Sequence, residues 1–226
     1  MELGFKTIVE GLFHLFWPVE CPFCKRLGVS ICDECLDSIL ENGGVLCLHC
    51  MANYPCARHS TRPVPLYWGA IHEGKAREVV HLLKYGHYKS LGSKMGEALA
   101  RNLVIDGIVE GLVPVPLHIG SSRHFNQALE IAKGLGKILD VPVWDVLSWK
   151  KEMPTQVGRT YQERRALPKG AVFVTNKAKI YKRKRVMIVD DVCTTGMTLR
   201  RCREALENEA CDVVGAIVWS LGGHGA

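Results

Sequence analysis

The chain of 226 residues lacks the long apolar runs and biased segments that mark membrane proteins and disordered proteins. No run reaches the roughly 18 apolar residues that a transmembrane helix needs. The first stretch of the chain is apolar but contains Glu2, Lys6 and Glu10 and has no basic start, so it does not fit a secretory signal peptide. Its spaced apolar stripe instead predicts a docking helix, formed by Phe5, Ile8, Val9, Leu12 and Phe16. We therefore expect a globular protein with one α/β domain and a small module.

The chain also lacks the Gly-x-x-x-x-Gly-Lys-Ser/Thr loop of one large class of nucleotide-binding proteins. It has instead an apolar run, Val186–Val189, that is followed by two carboxylates, Asp190 and Asp191. Consecutive apolar residues of this kind predict a buried central strand of a parallel sheet. The carboxylates then lie at the carboxyl end of this strand, within reach of the hydroxyl groups of a sugar.

A loop rich in threonine follows the two carboxylates and opens a helical pattern. Its hydroxyls and backbone N–H groups would lie at a helix N-terminus, where the helix dipole favours a phosphate. The residues concerned are Thr194, Thr195, Gly196 and Thr198. Together with the carboxylates, this loop predicts a ribose-5-phosphate site. The alternative is a buried strand, an Asp cap and a Thr-rich turn that bind no ligand.

Most of the cysteines are concentrated near the start of the chain, between positions 21 and 56, and they form Cys-x-x-Cys pairs. Without a secretory signal this spacing favours zinc over disulfides, because the short turn directs both thiolates at one tetrahedral ion. The first predicted site consists of Cys21, Cys24, Cys32 and Cys35, and the second of Cys47, Cys50, Cys56 and His59. His49 is a competing ligand for the second site. Both zinc ions would be structural, and a reduced, metal-free cluster or a redox pair is the alternative.

The formal net charge of +6 favours anionic partners without identifying one. Much of this excess lies in the segment Lys177–Arg185, just before the apolar run. A basic run of this kind is usually a solvated turn, and contact with single-stranded nucleic acid is the sharper alternative.

Beyond Pro63 and Pro65, which mark the exit from the cysteine-rich module, strand patterns alternate with helical ones. Strands are expected at Leu66–Ile71, Gly107–Val115, Val141–Val146, Val172–Val174, Val186–Val189 and Val213–Trp219, and helices at Gly74–Tyr85, Leu91–Leu103, Asn126–Leu139 and Thr198–Asn208. Such alternation predicts a mostly parallel β-sheet flanked by helices, with ligands at the carboxyl ends of the strands. We expect an N-terminal helix and zinc-binding module over residues 1–62 and an α/β domain over residues 63–226.

Several motifs follow the cysteine-rich module in a fixed order. They are His81-Leu-Leu-Lys-Tyr-Gly86, Val113-Pro-Val-Pro-Leu-His118, Phe125-Asn-Gln-Ala128 and the segment from Val186 to Thr198. The last resembles the phosphoribosyl-pyrophosphate (PRPP) signature of type I phosphoribosyltransferases, and the chain as a whole resembles the ComF-type competence protein family. The resemblance implies a type I phosphoribosyltransferase-like domain behind a zinc finger, in a cytoplasmic bacterial protein that acts in DNA uptake and transformation. Related members are linked to single-stranded DNA and to helicase and recombination partners.

The resemblance also implies roles for individual residues. Asp190 and Asp191 would bind the ribose hydroxyls, directly or through Mg²⁺, and are the expected catalytic carboxylates. The ribose phosphate would be held by the segment Asp190, Asp191, Val192, Cys193, Thr194, Thr195, Gly196, Met197 and Thr198. The pyrophosphate loop would be Val115, Pro116, Leu117 and His118, with Arg123, Asn126 and Gln127 in the flexible loop that covers it. Lys84 and Tyr85 would face the site or nucleic acid.

Several of these side chains also have a purely structural interpretation. Lys84 could be a solvated helix end, Asn126 a helix cap and His118 an ordinary loop residue. Tyr85 could pack rather than stack. Cys193 occupies a position that needs only a small residue, so we do not expect it to be a nucleophile.

The chain departs from the family pattern on the side of the expected pyrophosphate. His124 replaces a glycine and removes backbone freedom, and Ser121 and Ser122 remove positive charge. Trp149 and Leu167 stand where an Arg and an Asn are usual. The threonine-rich loop Thr194–Thr198, in contrast, keeps the family pattern. We therefore expect binding of PRPP or a related ribose-5-phosphate ligand with Mg²⁺, and favour a phosphoribosyltransferase of unknown acceptor. The alternative is a non-catalytic module that binds single-stranded nucleic acid or a partner protein.

Overall fold

The computed structural model describes residues 20–40, 43–86, 88–150, 167–175 and 183–223. The helices in these ranges are α1 (Asp33–Ile39), α2 (Gly74–Tyr85), α3 (Lys89–Asn102), α4 (Gln127–Leu139) and α5 (Met197–Asn208). The strands are β1 (Gly44–Cys47), β2 (Pro65–Ile71), β3 (Gly111–Pro114), β4 (Leu147–Trp149), β5 (Val172–Val174), β6 (Arg185–Cys193) and β7 (Asp212–Leu221). Each helix predicted after the cysteine-rich module is present and ends within two residues of its expected bounds.

Five of the strands form one sheet in the order β1-β2-β7-β6-β3. Strands β2, β7, β6 and β3 run parallel, and β1 pairs with β2 in the antiparallel direction. The mostly parallel sheet that the sequence predicts is thus confirmed. Strand β6, which carries the two carboxylates, is flanked by β7 and β3. The buried position predicted for it is right, but the middle of the sheet is occupied by β7.

Both faces of the sheet are covered, and the residues of β6 alternate between them. Val186 and Ile188 pack in the layer that contains α5, whereas Met187 and Val189 pack in the layer formed by α2, α3 and α4. All four side chains are buried. This burial on both faces explains why the strand is uniformly apolar rather than alternating.

The prediction of a strand at Val141–Val146 is wrong. A single bridge joins Val143 to Leu112, and the strand forms later along the chain, as β4, which pairs with β5 in a separate antiparallel sheet. Pro142 has no N–H to donate to a neighbouring strand, and its carbonyl accepts a hydrogen bond from Leu112 N at 2.9 Å. The proline thereby limits the pairing of this apolar segment to one bridge.

Helices α3 and α4 approach each other so closely that their backbones touch. A Cβ atom at Gly134 would overlap the carbonyl oxygen of Ser93, and one at Gly96 would overlap that of Ile131. Glycine is therefore required at these two positions by the lack of space between the helices. The close packing fixes α4, whose first turn borders the cavity described below.

The helix and the strand of the cysteine-rich segment each contact the rest of the molecule. Helix α1 contacts α3, where Arg101 Nη2 lies 3.0 Å from Asp37 Oδ1. Strand β1 extends the main sheet by pairing with β2, so the boundary expected near residue 62 falls between two paired strands. The N-terminal stripe Phe5–Phe16 lies outside the described residues. Within the ranges given above, no helix has the length and apolar character needed to cross a membrane.

Candidate functional site

A cavity of about 340 Å³ opens where the carboxyl ends of β3 and β6 meet the start of α4. Parallel α/β sheets commonly bind ligands in this position. One wall comes from the end of β6 and the loop beyond it, with Asp190, Asp191, Val192, Thr194 and Thr198. The opposite wall comes from the loop after β3 and the start of α4, with Val115, Pro116, Leu117, His118, Arg123, Asn126 and Gln127. The cavity thus brings together most of the side chains that the sequence singles out.

The two carboxylates of β6 lie in different environments. Burial, and secondly the charge of Asp191, raise the pKa of Asp190 to about 8. Asp190 Oδ1 accepts a hydrogen bond from the backbone N–H of Asp191 at 2.8 Å. Lys84 Nζ lies 3.0 Å from Asp191 Oδ2, and only 17% and 10% of these two side chains are exposed. The cavity therefore holds one carboxyl that keeps its proton near neutral pH beside a second that is paired with a lysine.

The loop between β6 and α5 turns at Gly196, whose φ of 69° lies in the left-handed region that favours glycine. Gly196 is the N-cap of α5, and Thr195 Oγ1 accepts a hydrogen bond from the backbone N–H of Met197 at 3.4 Å. Thr194 and Thr198 line the cavity, whereas Thr195, Gly196 and Met197 are not among its lining residues. The N-terminus of a 12-residue helix therefore borders the cavity, where its dipole favours an anion.

The loop after β3 is held in place from both sides. Val115 N donates to Val189 O at 2.9 Å, and Asn126 Nδ2 donates to Val115 O, also at 2.9 Å. Trp149 Nε1 donates to Pro116 O at 2.8 Å. The ring of His118 lies against that of Trp149, with 5.1 Å between the centroids. These contacts fix the carbonyl groups of the loop and leave its cavity side open.

The residues at the start of α4 line the cavity, and their side chains also form hydrogen bonds with nearby backbone groups. Asn126 caps the helix, because its side chain accepts a hydrogen bond from Ala128 N at 3.1 Å. Gln127 is buried, with Nε2 donating to Phe125 O at 3.0 Å and Oε1 accepting from Arg123 Nη1 at 3.2 Å. Arg123 is thus oriented by an amide, and its positive charge lies at the edge of the cavity.

Two further candidate residues, Cys193 and Tyr85, lie outside the cavity lining. The side chain of Cys193 is buried in the core, and burial raises the pKa of its thiol to about 12, so it is not a nucleophile at neutral pH. Tyr85 is 59% exposed and packs against His81, with 4.8 Å between the ring centroids.

The sequence did not identify Trp149 and Leu167 as residues that line the cavity, or His72 as a neighbour of Lys84 and Asp191 outside that lining. Trp149 and Leu167 line the cavity, although they were noted only as departures from a pattern. His72 Nδ1 lies 2.7 Å from the Oγ of the fully buried Ser220, and burial, with the charge of Lys84, lowers the pKa of its imidazole. A histidine just after β2 gives no signal in the sequence, because its position beside the end of β7 depends on the sheet order.

The two predicted zinc sites are assembled as groups of four side chains. In each group the potential ligand atoms all lie within 4.8 Å of one another, and the groups are Cys21, Cys24, Cys32 and Cys35, then Cys47, Cys50, Cys56 and His59. In the second group, His59 Nδ1 lies 3.5 Å from Cys56 Sγ. Three or four thiolates with at most one imidazole are a donor set typical of structural zinc. His49 is not in the group: it contacts the guanidinium of Arg203 and stacks on His59 at 4.6 Å.

The basic run before β6 is described only in part. Lys184 Nζ lies 2.6 Å from Glu110 Oε1, so this lysine is paired with an acid rather than free for a ligand. Arg183 and Lys184 are exposed. Residues 177–182 of the run lie outside the described residues, and the nucleic-acid contact stays a prediction.

Comparison with known proteins agrees with this geometry. Residues 126–226 match the phosphoribosyl transferase domain family. The chain is similar to Competence protein F of Haemophilus influenzae, at 31% identity over 115 residues, which are 50% of this chain and 49% of that protein. The chain therefore spans about half the length of this relative.

Two solved structures are also similar over part of the chain. One is the allosteric regulatory enzyme of purine biosynthesis, with a TM-score of 0.41 and 18% identity over 57% of this chain and 25% of that one. The other is glutamine PRPP amidotransferase from B. subtilis, with a TM-score of 0.38 and 15% identity over 57% and 26%. The matched domain, the competence relative and the two cysteine groups confirm the resemblance that the motifs indicated: the chain is similar to ComF-type competence proteins, with a cysteine-rich module and a phosphoribosyltransferase-type α/β domain.

Proposed function

We propose that the cavity binds PRPP or a related ribose-5-phosphate ligand together with Mg²⁺. The observation that carries this proposal is that Asp190, Asp191, Thr194, Thr198 and Lys84 line one space between the end of β6 and the start of α5. Carboxylates suit sugar hydroxyls and Mg²⁺, and a helix N-terminus suits a phosphate. A single ligand that carries hydroxyls and a terminal phosphate would engage both groups at once.

The ligand would lie with its 5-phosphate at the loop of Thr194 and Thr198 and its ribose against the carboxylates. Its pyrophosphate would then point to the loop after β3, toward Arg123. His118 also lines the cavity, and its Nδ1 lies 2.9 Å from Ile119 O. Positive charge from Arg123 and main-chain N–H groups supports binding of a pyrophosphate there.

We further propose that the protein is a phosphoribosyltransferase, in which an acceptor displaces pyrophosphate from C1 of the ribose. Bound Mg²⁺, held by Asp190 and Asp191, would supply charge stabilisation for the departing pyrophosphate. The protein's own groups would hold the ribose and meet the charge that develops on the leaving group. No covalent nucleophile is needed, which is consistent with the raised pKa of Cys193.

The similarity to Competence protein F supports a role in competence, and we propose that this protein acts in the cytoplasm during DNA uptake and transformation. Single-stranded DNA, a helicase or a recombination protein would be its partners in that role. The exposed basic residue Arg183 on the surface supports contact with an anionic partner.

Calorimetric titration of the full chain with PRPP, with and without Mg²⁺, tests the ligand. We expect binding that requires Mg²⁺ and is lost when Asp190 and Asp191 are both changed to Asn. The matched control changes the two acids Asp140 and Asp145, which lie outside the cavity lining, in the same way and should bind PRPP as the wild type does. Absence of binding at millimolar PRPP would overturn the proposal.

Turnover and the alternative function are tested with the same proteins. Release of pyrophosphate from PRPP in the presence of nucleobase or amine acceptors would support a transferase. Tight binding of single-stranded DNA that survives the double Asp change, in a protein that does not bind PRPP, would favour a nucleic-acid-binding module.

A further inference from the structure

The second cysteine group lies directly against the loop that we propose holds the ribose phosphate. We use "knuckle" for residues 47–51, which include Cys47 and Cys50, and "phosphate loop" for residues 194–198. The knuckle is a tight turn in which Met51 N donates to Cys47 O at 2.7 Å. A Cβ atom at Gly196 would lie 3.0 Å from Met51 Sδ, so the side chain of Met51 fills the space beside the turn of the phosphate loop.

Arg200 joins the two segments because its guanidinium donates one hydrogen bond to each of them. Its Nη2 donates to Thr195 O in the phosphate loop at 2.9 Å, and its Nη1 donates to Leu48 O in the knuckle at 3.2 Å. Leu48 is fully buried, so its carbonyl is held in a fixed place. One guanidinium therefore relates the position of the phosphate loop to that of the knuckle.

A second arginine of α5 repeats this connection one turn further along the helix. Arg203 is buried and contacts the ring of His49, which lies between the two cysteines of the knuckle, and its Nε lies 2.9 Å from Glu207 Oε1. The phosphate loop and the first two turns of α5 thus rest on the knuckle at three points, namely Met51, Leu48 and His49.

The first cysteine group has no such relation to the phosphate loop. Cys21 and Cys32 pack in the layer on the other face of the sheet, with α3. Lys94 Nζ of α3 donates to Ile31 O in that group at 3.2 Å, which makes it a structural counterpart of Arg200 on the side away from the phosphate loop. The chain therefore offers an internal control for any effect of metal on the ligand.

We propose that the metal held by Cys47, Cys50, Cys56 and His59 fixes the phosphate loop through Arg200, so that metal binding at this group and ribose-phosphate binding in the cavity reinforce each other. The metal holds the knuckle in one conformation. The carbonyl of Leu48 in the knuckle then fixes the position of the Arg200 guanidinium, and Arg200 in turn fixes the carbonyl of Thr195. Arg200 is a positioning residue in this scheme. By linkage, a ligand that favours the ordered loop must raise metal affinity by the same factor as the metal raises ligand affinity. This inference rests on the proposed PRPP site.

The test measures zinc affinity in two single-site proteins by equilibrium competition with a chromophoric chelator, with and without PRPP and Mg²⁺. Cys24→Ser leaves the second group intact, and Cys50→Ser leaves the first intact. We expect PRPP to tighten zinc binding about tenfold in Cys24→Ser, within the usual range of coupling between sites, and to leave it unchanged in Cys50→Ser. Adding Arg200→Ala to Cys24→Ser should remove the gain while zinc is still bound.

A second measurement covers the case in which a cysteine variant fails to fold. In the full chain, Arg200→Ala should weaken PRPP binding about tenfold, and the matched Lys94→Ala should not change it. Equal PRPP effects on both zinc groups, or unchanged PRPP affinity in Arg200→Ala, would overturn the coupling. Failure of the wild type to bind PRPP would overturn the proposed function instead, so the two failures are distinguishable.

Discussion

At the scale of single residues, the environment of Asp190 is the most unusual in the cavity. Its carboxyl is placed at the end of a strand that is covered on both faces, next to a second acid. Desolvation and the charge of Asp191 both oppose its ionisation, and Lys84 and Arg123 only partly offset them. A bound divalent cation would reverse this balance, because it favours the ionised form. Binding of Mg²⁺ with the proposed ligand would therefore lower the pKa of Asp190.

The first prediction concerns the pH dependence of stability. The pKa of Asp190 in the folded protein, about 8, lies above its ordinary value of 3.8, so between these pH values the folded state holds a proton that the unfolded state releases. The protonated carboxyl of Asp190 makes its full contribution to the free energy of unfolding below about pH 4, and this contribution is lost as the pH rises toward 8. Asp190→Asn, which stays neutral, should therefore raise the free energy of unfolding at pH 8 by at least about 1 kcal/mol.

Urea unfolding of Asp190→Asn and wild type at pH 6 and pH 8 measures this effect. The difference between the two proteins should be larger at pH 8. The control is Asp140→Asn, at an exposed position. Its unfolding free energy should differ from that of the wild type by the same amount at pH 6 and at pH 8. A difference for Asp190→Asn that does not grow with pH would contradict the prediction.

The second prediction concerns the lysine that faces the cavity. Replacing Lys84 by Met leaves the mostly buried Asp191 without its partner, and loss of one member of a buried pair should cost about 2–3 kcal/mol of unfolding free energy. The same change at Lys137, which is 68% exposed and pairs with Glu97, should cost less than about 1 kcal/mol. Thermal and urea unfolding of both variants provide the comparison; similar losses for the two would contradict it.

Some of these residue roles were accessible from the sequence, and others were not. Asp190 and Asp191 lie near the carboxyl end of a strand and Thr194 lies in the turn that leads to a helix, so local order alone brings them to one edge of the sheet. Trp149 and His72 reach the site through contacts between segments that are distant in sequence. The carbonyl that Trp149 binds, Pro116 O, can be identified only in three dimensions.

At the scale of elements, the pair α3 and α4 determines how the start of α4 meets the cavity. The helices meet at Gly96 and Gly134. In the sequence these glycines are only weak helix formers, and nothing in the helical pattern indicates their role in packing. A side chain at these positions would push the helices apart and move Asn126, the cap of α4, away from Val115 O. The geometry of the loop after β3 therefore depends on glycines that are remote from it.

The third prediction follows from this packing. Gly134→Ala should destabilise the protein by several kcal/mol, although alanine favours a helix by about 1 kcal/mol over glycine, because the new methyl group would overlap Ser93 O. Lys133→Ala, at the neighbouring half-exposed position, should change stability by less than about 1 kcal/mol. Urea unfolding measures both; a stabilised Gly134→Ala variant would show that the helices are not in close contact.

The element boundaries show where sequence reasoning succeeds. Helix α2 has the predicted bounds Gly74–Tyr85, since its apolar stripe and flanking glycines are local signals. The expected strand at Val141–Val146 failed because Pro142 removes a donor that pairing requires. Hydrophobicity identifies buried segments, but hydrogen-bond donors decide which of them form a ladder.

At the scale of the whole molecule, the cysteine-rich module and the α/β domain share one sheet. Strand β1 belongs to the segment that the sequence assigns to the module, yet Leu46 and Leu48 pack in the core of the domain. Cysteine spacing predicted both groups of ligands because that spacing is local. The continuity of the sheet across residue 62 could not be predicted, since pairing of β1 with β2 has no local signal.

The fourth prediction concerns the metal content of the full chain. We expect about two zinc ions per chain by elemental analysis, because two groups of four donors are assembled. Each structural zinc can contribute on the order of 10 kcal/mol of apparent binding free energy, so removal of both with a strong chelator should lower the melting temperature markedly. Readdition of zinc should restore it, and Mg²⁺ should not. A chain that binds less than one zinc and melts unchanged would contradict the prediction.

The position of β7 has a consequence for how the chain acquires its structure. Among the described strands β7 is the last in sequence, yet it lies between β2 and β6 and hydrogen-bonds to both. During synthesis on the ribosome, β1 with β2 and β6 with β3 can form only as two separate pairs. Residues 212–221 must emerge and insert between these pairs before Lys84, on the β2 side, can meet Asp191 of β6, so the complete cavity should arise late in biogenesis.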